Sequence, residues 1–397
     1  MKNSARIGFI KVGFWIGILI LLNSCHPSMN YDTQAEIDSI VAKWVPDKRE
    51  GICNVSVTIN KDGAIILKGE TTIPQAGQEI INALSKPGIV LIDSILLLPD
   101  TLDIEKHWGL VTLSVINFRK QPDHRSELVS QAIMGTPVRI LKTDNWWVLI
   151  QTPDKYIAWT EKSSVESLSR EELTSWKQRE RVIFLNNNGS IYSAPEVPEV
   201  VGDLTAGSIM EKKGESNGFI KVALPDGREG YVETKKLMDF RSWKEQVFSN
   251  DEKIIEVAAT FLGFPYLWGG SSSKAVDCSG LVQSVYFMNG IIISRDASLQ
   301  EHHGLVVDFS NGFNELKMGD LLFFGSKDSN GSHVSHVAIY KGDNEYIHSS
   351  GRVMINSLDF TQINYNSYRR NSLLSVKRIV GVENDNGIVP VNKHPWY

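Results

Sequence analysis

The chain has 397 residues, 42% of them apolar and 22% charged, with a formal net charge of −5. That length suits roughly two to four domains and that composition suits a folded chain. The charge supplies no basic field to attract nucleic acid, so a nucleic-acid partner is excluded.

At the N-terminus, Lys2, Arg6 and Lys11 precede an apolar run from Val12 to Leu22. The run is short for a bilayer span and has the charge–apolar order of an export signal. It closes on Leu22-Asn23-Ser24-Cys25, which resembles a bacterial lipobox. Residues 1–25 are therefore expected to be a lipoprotein signal peptide, with Cys25 the lipidated first residue of an exported, envelope-anchored protein. The membrane is then a partner through that anchor. Of three cysteines, Cys53 and Cys278 remain for the folded body, too few for a disulfide framework.

Residues 26–107 read as a small α/β unit. Ile37, Ile40, Val41 and Trp44 recur at helical spacing up to Pro46. Val55–Ile59 alternates like a strand, and Asn60-Lys61-Asp62-Gly63 turns the chain into Ala64–Leu67. A helix near Gln78–Leu84 and a strand at Ile89–Leu98 follow. No residue pattern here carries chemistry. Cys53 reads as a small buried hydrophobe.

The middle of the chain repeats. A shift of 72 residues superimposes Gly135 on Gly207, Trp147 on Phe219, Pro153-Asp154 on Pro225-Asp226, Trp159 on Tyr231 and Val165 on Leu237. Each copy reads as short strands around a Pro-Asp turn, the pattern of a small β-barrel. Two barrels are expected, over residues 108–168 and 180–240, and they resemble bacterial SH3 domains. Ser169–Arg179 between them opens with Ser-x-x-Glu and suits a connecting helix.

From residue 245 to 386 helices come first and strands afterwards, an α+β arrangement. Ile254, Ile255, Ala258, Phe261 and Leu262 make an amphipathic helix that stops at Gly263. A second helix begins at Asp277-Cys278-Ser279-Gly280, and strand-like segments lie at Asp320–Phe324, Val334–Tyr340 and Glu345–Ser349. Residues 387–397 are expected to be a flexible or surface-laid tail.

Cys278 falls in the first turn of its helix, where free N–H groups and the helix dipole favour a thiolate. A cysteine nucleophile also needs a base and a group that orients the base. His336 and His348 sit on adjacent short strands separated by a turn at Gly342-Asp343-Asn344, so the two rings can meet. Position alone leaves open a merely buried cysteine capped by Asp277.

Further motifs decide between these. Phe264-Pro265-Tyr266-Leu267-Trp268-Gly269-Gly270, Asp277-Cys278-Ser279-Gly280-Leu281-Val282 and Ser294-Arg295-Asp296-Ala297-Ser298-Leu299-Gln300 follow one another. Gly319–Phe324, Ser335–Tyr340 and Tyr346-Ile347-His348 continue the order. This series resembles the NlpC family of papain-like cell-wall cysteine peptidases, and with the barrel pair it resembles the γ-D-glutamyl-L-diamino acid endopeptidases that carry bacterial SH3 domains. The fold so implied is multidomain α+β: an N-terminal α/β unit, two SH3-like barrels and a papain-like catalytic domain.

The resemblance implies that Cys278 is the nucleophile, His336 the base and His348 its orienting partner. Tyr266 is expected beside the thiolate, with the Cys278 N–H at the oxyanion. Asp277 and Ser279 are expected to line a D-Glu pocket, and Arg295 to be structural. Asp296 would meet the free α-amine of L-Ala, helped by Glu127 and Tyr156 of the first barrel. Ala297 departs from relatives that have a serine there, which removes one hydrogen bond to ligand. The expected substrates are stem peptides of peptidoglycan, L-Ala-γ-D-Glu-(L-Lys or meso-diaminopimelate), cut at the γ-D-Glu bond in murein turnover. No cofactor and no metal are expected, since neither Cys-x-x-Cys nor His-Glu-x-x-His occurs. His333 is the decoy nearest His336, and His302-His303 are expected on a solvated loop. The same fold also hosts acyltransferases, and a wall-binding module with a silent active site is a further alternative.

Overall fold

The computed structural model describes residues 29–101, 104–245, 251–329, 331–382 and 385–397; the expected signal segment and Cys25 lie outside the described residues. The architecture is multidomain and mixed α+β, with most regular structure in strands.

In the N-terminal unit, strands Cys53–Ile59 and Ile65–Thr71 form a hairpin, and Leu91–Leu97 adds in parallel to the second strand. Helices Met29–Trp44 and Pro74–Leu84 cover this sheet. Alternation along the strands turns Cys53, Val55, Ile65 and Leu67 inward, where they meet Ile37, Ile40, Ile80 and Leu84. The second helix starts at Pro74, ahead of the expected Gln78. A proline fits there because the first helical N–H has no partner to lose. The unit docks on the first barrel through Leu98 against Leu141 and Leu149, and through a Lys142–Glu70 ion pair at 2.7 Å.

The two barrels share one topology. Numbering the seven strands of each copy in chain order, both sheets run 3-2-6-5-4-1-7. The repeat is visible in the strand starts: Leu128 with Val200, Pro137 with Ile209, Trp147 with Phe219, Ile157 with Glu229 and Val165 with Leu237. Gly135 and Gly207 both take positive φ, 80° and 85°, at the turn before the fourth strand, which explains why each copy keeps a glycine there. The helix between the barrels, Arg170–Gln178, begins with a complete capping box: Glu172 N–H donates to Ser169 Oγ at 3.2 Å and Ser169 N–H to Glu172 Oε2 at 2.7 Å.

The catalytic domain wraps helix Cys278–Met288 in a six-stranded sheet whose central strands are Leu321–Asp328 and Gly331–Gly342. Leu281, Val282, Val285 and Tyr286 face Phe323, Val337, Ile339 and Ile347, all nearly inaccessible. The C-terminus is not a loose tail. Ile388–Pro390 pairs with Ile291–Ile293, Val391 is 1% exposed, and Tyr397 inserts among Phe240, Trp243 and Phe287. Burial of these apolar side chains offsets the entropy of ordering the segment.

Candidate active site

The helix that carries Cys278 starts where it does because of its flanking residues. Asp277 is the N-cap, in extended conformation, and its Oδ1 accepts the Gly280 N–H at 2.7 Å. Gly280 must lack a side chain, since a Cβ there would lie 1.9 Å from the Gly270 carbonyl oxygen. The loop before the helix is tied down as well: Gly269 N–H donates to Asp277 Oδ2 at 2.9 Å. Arg295 then grips both carboxylate oxygens, at 3.1 and 2.7 Å, while donating to Ser279 Oγ and to Ser130 Oγ of the first barrel. Arg295 is 1% exposed, so this pair depends on its full set of partners. Asp277 and Ser279, expected to line the ligand pocket, take part in this scaffold through their side chains. Arg295 has the structural role expected of it.

His336 and His348 come together across adjacent strands, both buried, with His336 Nε2 2.8 Å from His348 Nδ1. A residue not anticipated from sequence completes the relay: His348 Nε2 lies 2.8 Å from Asn356 Oδ1. Asn356 Nδ2 donates to the Asn364 carbonyl at 3.0 Å, which orients its amide. The proton positions follow. His348 carries its hydrogen on Nε2 and accepts at Nδ1, so His336 donates from Nε2 and keeps a free lone pair on Nδ1. That leaves a neutral imidazole able to take the Cys278 proton.

Cys278 is 8% exposed and packs in the core beside Val337, the residue after His336. Burial, and then the negative charge of Asp277, push the thiol up to about 11 despite its place at a helix start. Desolvation thus opposes the thiolate that the helix start favours. Burial and the charge of Arg369 hold His336 well below the usual histidine range. Both shifts favour the neutral forms, thiol and imidazole, in the free protein. Tyr266 is half-buried, its phenol raised to about 12 by burial and then by the charges of Cys278 and Asp277, which lie within electrostatic reach. The Cys278 N–H has no protein acceptor among the described residues, leaving it free for an oxyanion.

The expected amine-binding residues have the following partners. Asp296 precedes the short helix Ala297–Gln300, in which Ala297 is buried, and its Oδ2 accepts Arg49 Nη1 at 2.7 Å. Tyr156, 5% exposed, lies within electrostatic reach of Asp296, Arg295 and Arg49. Glu127 accepts Trp268 Nε1 at 3.0 Å and pairs with Lys120. It therefore braces the aromatic loop that holds Tyr266, and the second acid near Asp296 is Asp47. Gly269 in that loop packs on the first barrel so closely that a Cβ would lie 2.5 Å from the Leu128 carbonyl oxygen.

The other histidines stand apart from the relay: His333 pairs with exposed Asp328, His302 with Glu301 and His303 with Asp385. Among the described residues no cluster of three or more His, Cys, Asp or Glu has the arrangement to hold a metal ion.

This geometry can perform acyl transfer through a cysteine: a thiol, a tautomer-fixed base, and an unpaired N–H at the nucleophile. The NlpC/P60 family profile matches residues 263–373, spanning Cys278, His336 and His348, and the bacterial dipeptidyl-peptidase SH3 domain profile matches residues 118–165. Dipeptidyl-peptidase 6 of Lysinibacillus sphaericus is 29% identical over 264 residues, covering 63% of this chain and 92% of that protein. Murein DD-endopeptidase MepS/Murein LD-carboxypeptidase of Escherichia coli K12 is 32% identical over 163 residues, 39% of this chain and 82% of its own. The crystal structure of an NlpC/P60 family protein from Bacillus cereus superimposes with a TM-score of 0.59 at 22% identity, over 68% of this chain and 99% of that one, which shows a shared fold. The chain therefore belongs to the NlpC/P60 family, as a cysteine peptidase with bacterial SH3 barrels ahead of its catalytic domain.

Proposed function

We propose that this protein is a peptidoglycan peptide hydrolase that cuts the γ-D-Glu–diamino acid bond of stem peptides with a free amino terminus, releasing L-Ala-γ-D-Glu. The observation that carries this reading is the His336–His348–Asn356 relay on the strands packed against the Cys278 helix, with Asp296 next to the arginine that braces the start of that helix. Arg295 grips Asp277 and Ser279 on either side of Cys278, and Asp296 is the next residue in the chain. A cysteine that acylates at a γ-glutamyl carbonyl needs the peptide's amino end held at a fixed distance, and a carboxylate is the natural partner of an ammonium. The relatives named dipeptidyl-peptidase 6 and gamma-D-glutamyl-L-lysine dipeptidyl-peptidase support this substrate class. In the reaction, His336 Nδ1 takes the thiol proton as sulfur attacks. It returns the proton to the leaving amine, and water then hydrolyses the thioester.

The test is digestion of L-Ala-γ-D-Glu-meso-diaminopimelate beside its N-acetylated twin, with wild type and Cys278→Ala. Cleavage confined to the free-amine peptide and lost in the variant supports the reading. Equal cleavage of both peptides keeps the hydrolase and discards the amine requirement. Transfer of the acyl group to an added amine in preference to water would replace hydrolysis with the acyltransferase alternative.

The same reading places the enzyme in the cell envelope, anchored through a lipid on Cys25; the lipobox-like Leu-Asn-Ser-Cys sequence is its support. Incorporation of labelled fatty acid in the native chain, absent from Cys25→Ala, is the expected result.

A further inference from the structure

The loop after the first helix, residues 46–51, connects three parts of the molecule. Arg49 carbonyl oxygen accepts the Ile157 N–H of the first barrel at 2.7 Å, one residue from Tyr156. Gln151 Nε2 donates to the Glu50 carbonyl at 3.2 Å, and Ser294 Oγ of the catalytic domain donates to the Glu50 carboxylate at 3.3 Å. These bonds set the Arg49 guanidinium at the catalytic domain. Nε and Nη2 hold Asp47 at 2.9 and 2.6 Å, Nη1 holds Asp296 at 2.7 Å, and both terminal nitrogens reach Ser298 Oγ at 3.2 Å.

Asp296 is thus engaged at one oxygen only. Its Oδ1 has no hydrogen-bond partner among the described residues, and its side chain keeps 28% exposure. The charges do not cancel: Asp47 and Asp296 are two anions around one guanidinium, which leaves one negative charge in excess. A fork with two arms committed to Asp47 and one to Asp296 fixes the carboxylate plane more tightly than a point charge.

We propose that Arg49 is a specificity-determining residue of this hydrolase: it aims the free oxygen of Asp296 at the α-ammonium of the substrate and walls off the space beyond it. The proposal rests on Asp296 being the amine's partner, and it gives the N-terminal unit a role in substrate selection. A peptide acylated at its amino end brings no cation to the excess negative charge and meets the guanidinium instead. A displaceable latch, in which Arg49 merely occupies the amine's place, requires the opposite behaviour. The bonds of Arg49 to Asp47 and of its backbone to Ile157 oppose such a departure.

The experiment uses the full chain carrying Arg49→Ala, Arg49→Lys or Asp47→Asn, and measures kcat and KM for the free-amine peptide and its N-acetylated twin. Arg49→Ala is expected to raise KM for the free-amine peptide about tenfold with kcat little changed, as loss of one charge-supported contact implies. It is also expected to improve cleavage of the acetylated peptide, so the selectivity ratio collapses. Arg49→Lys should recover part of the ratio, and Asp47→Asn should shift it in the same direction as Arg49→Ala. An increase in kcat/KM for the free-amine peptide in Arg49→Ala would establish the latch and overturn the proposal, as would an unchanged ratio in folded protein. Calorimetric binding of the dipeptide L-Ala-γ-D-Glu to Cys278→Ala, with and without Arg49→Ala, gives the readout that does not need turnover. If wild type cuts neither peptide but the dipeptide binds in an Arg49-dependent manner, the proposed bond specificity fails and the role of Arg49 stands. Binding that ignores Arg49 overturns the role itself.

Discussion

Asn356 accepts from His348 Nε2 at 2.8 Å with one end of its amide and donates to the Asn364 carbonyl at 3.0 Å with the other. That two-ended tie decides which nitrogen of each catalytic imidazole carries hydrogen, and so which atom of His336 can act as base.

Asn356→Ala is expected to lower kcat about 10- to 100-fold with KM nearly unchanged, because the orienting bond matters mainly as charge develops on His336. Asn356→Asp should behave differently. A carboxylate favours protonated His348, and through it weakens the neutral base, so the acid limb of the kcat/KM profile should move to higher pH. Identical pH profiles for wild type and Asn356→Asp would remove Asn356 from the relay.

Cys278 and Arg369 offer a second test. The thiol is pushed up to about 11, and Arg369, half-buried over the Phe324 ring at 5.6 Å, is close enough to Cys278 for the two charges to interact. Alkylation of the free enzyme by a neutral reagent should therefore keep rising well above pH 8 without a plateau. Arg369→Gln removes a cation that favours thiolate and disfavours imidazolium. Alkylation at fixed pH should fall, while the acid limb of catalysis moves up as His336 protonates more readily. A plateau already reached by pH 7 in wild type would mean a stable thiolate–imidazolium pair and sink the neutral resting state.

The buried Arg295–Asp277 pair predicts a stability asymmetry. Removing one partner leaves a bare charge at a site 1% exposed on the arginine side, a loss on the order of 3–5 kcal/mol. Arg295→Met should therefore be severe, and the double variant Arg295→Met/Asp277→Asn should recover part of the loss. The check is the denaturant midpoint of the catalytic-domain transition, read by Trp fluorescence. A double variant worse than the sum of the singles would contradict the charge argument.

What the chain reveals by itself depends on whether the controlling interaction is local. The barrel repeat was legible because turn glycines and alternating aromatics recur at one spacing, and the connecting helix because Ser169 and Glu172 form its capping box. Cys278, His336 and His348 stand in ordered motifs on short elements. Asn356 had a weak signal: His348 pairs with Met354 across the hairpin, so Asn356, two residues on, shares the face of His348 and is its diagonal neighbour. The helix position that favours a thiolate at Cys278 is local, whereas the burial that opposes it comes from the packed sheet and leaves no mark in the sequence. The C-terminal strand leaves little mark in the sequence, because three apolar residues carry too little periodicity to identify a strand whose partner lies nearly a hundred residues earlier. Arg49 had no signal at all. It lies 247 residues from Asp296, and only docking of three domains brings them together.

A last prediction concerns pH and stability. Burial lowers His348 to about 4 and His394 to about 4, both from an ordinary value of 6.5. A folded-state value below the unfolded one means the unfolded chain binds more protons between the two. These groups therefore contribute fully above about pH 6.5, and the contribution is lost as pH falls from 6.5 toward 4. Asp47 and Asp385, also held below their usual range, add a loss of the same sign at still lower pH. His394 Nε2 donates to the Pro153 carbonyl at 3.2 Å and so joins the C-terminal segment to the first barrel, with no hydrogen bond to the catalytic relay among the described residues. Glutamine can make that bond but cannot take a proton. His394→Gln should leave activity intact and remove a share of the acid sensitivity on the order of 2 kcal/mol. The measurement is Tm at pH 7.5 and at pH 5 for both proteins. A drop in Tm that is as large in His394→Gln as in wild type would assign the acid sensitivity to the other buried groups.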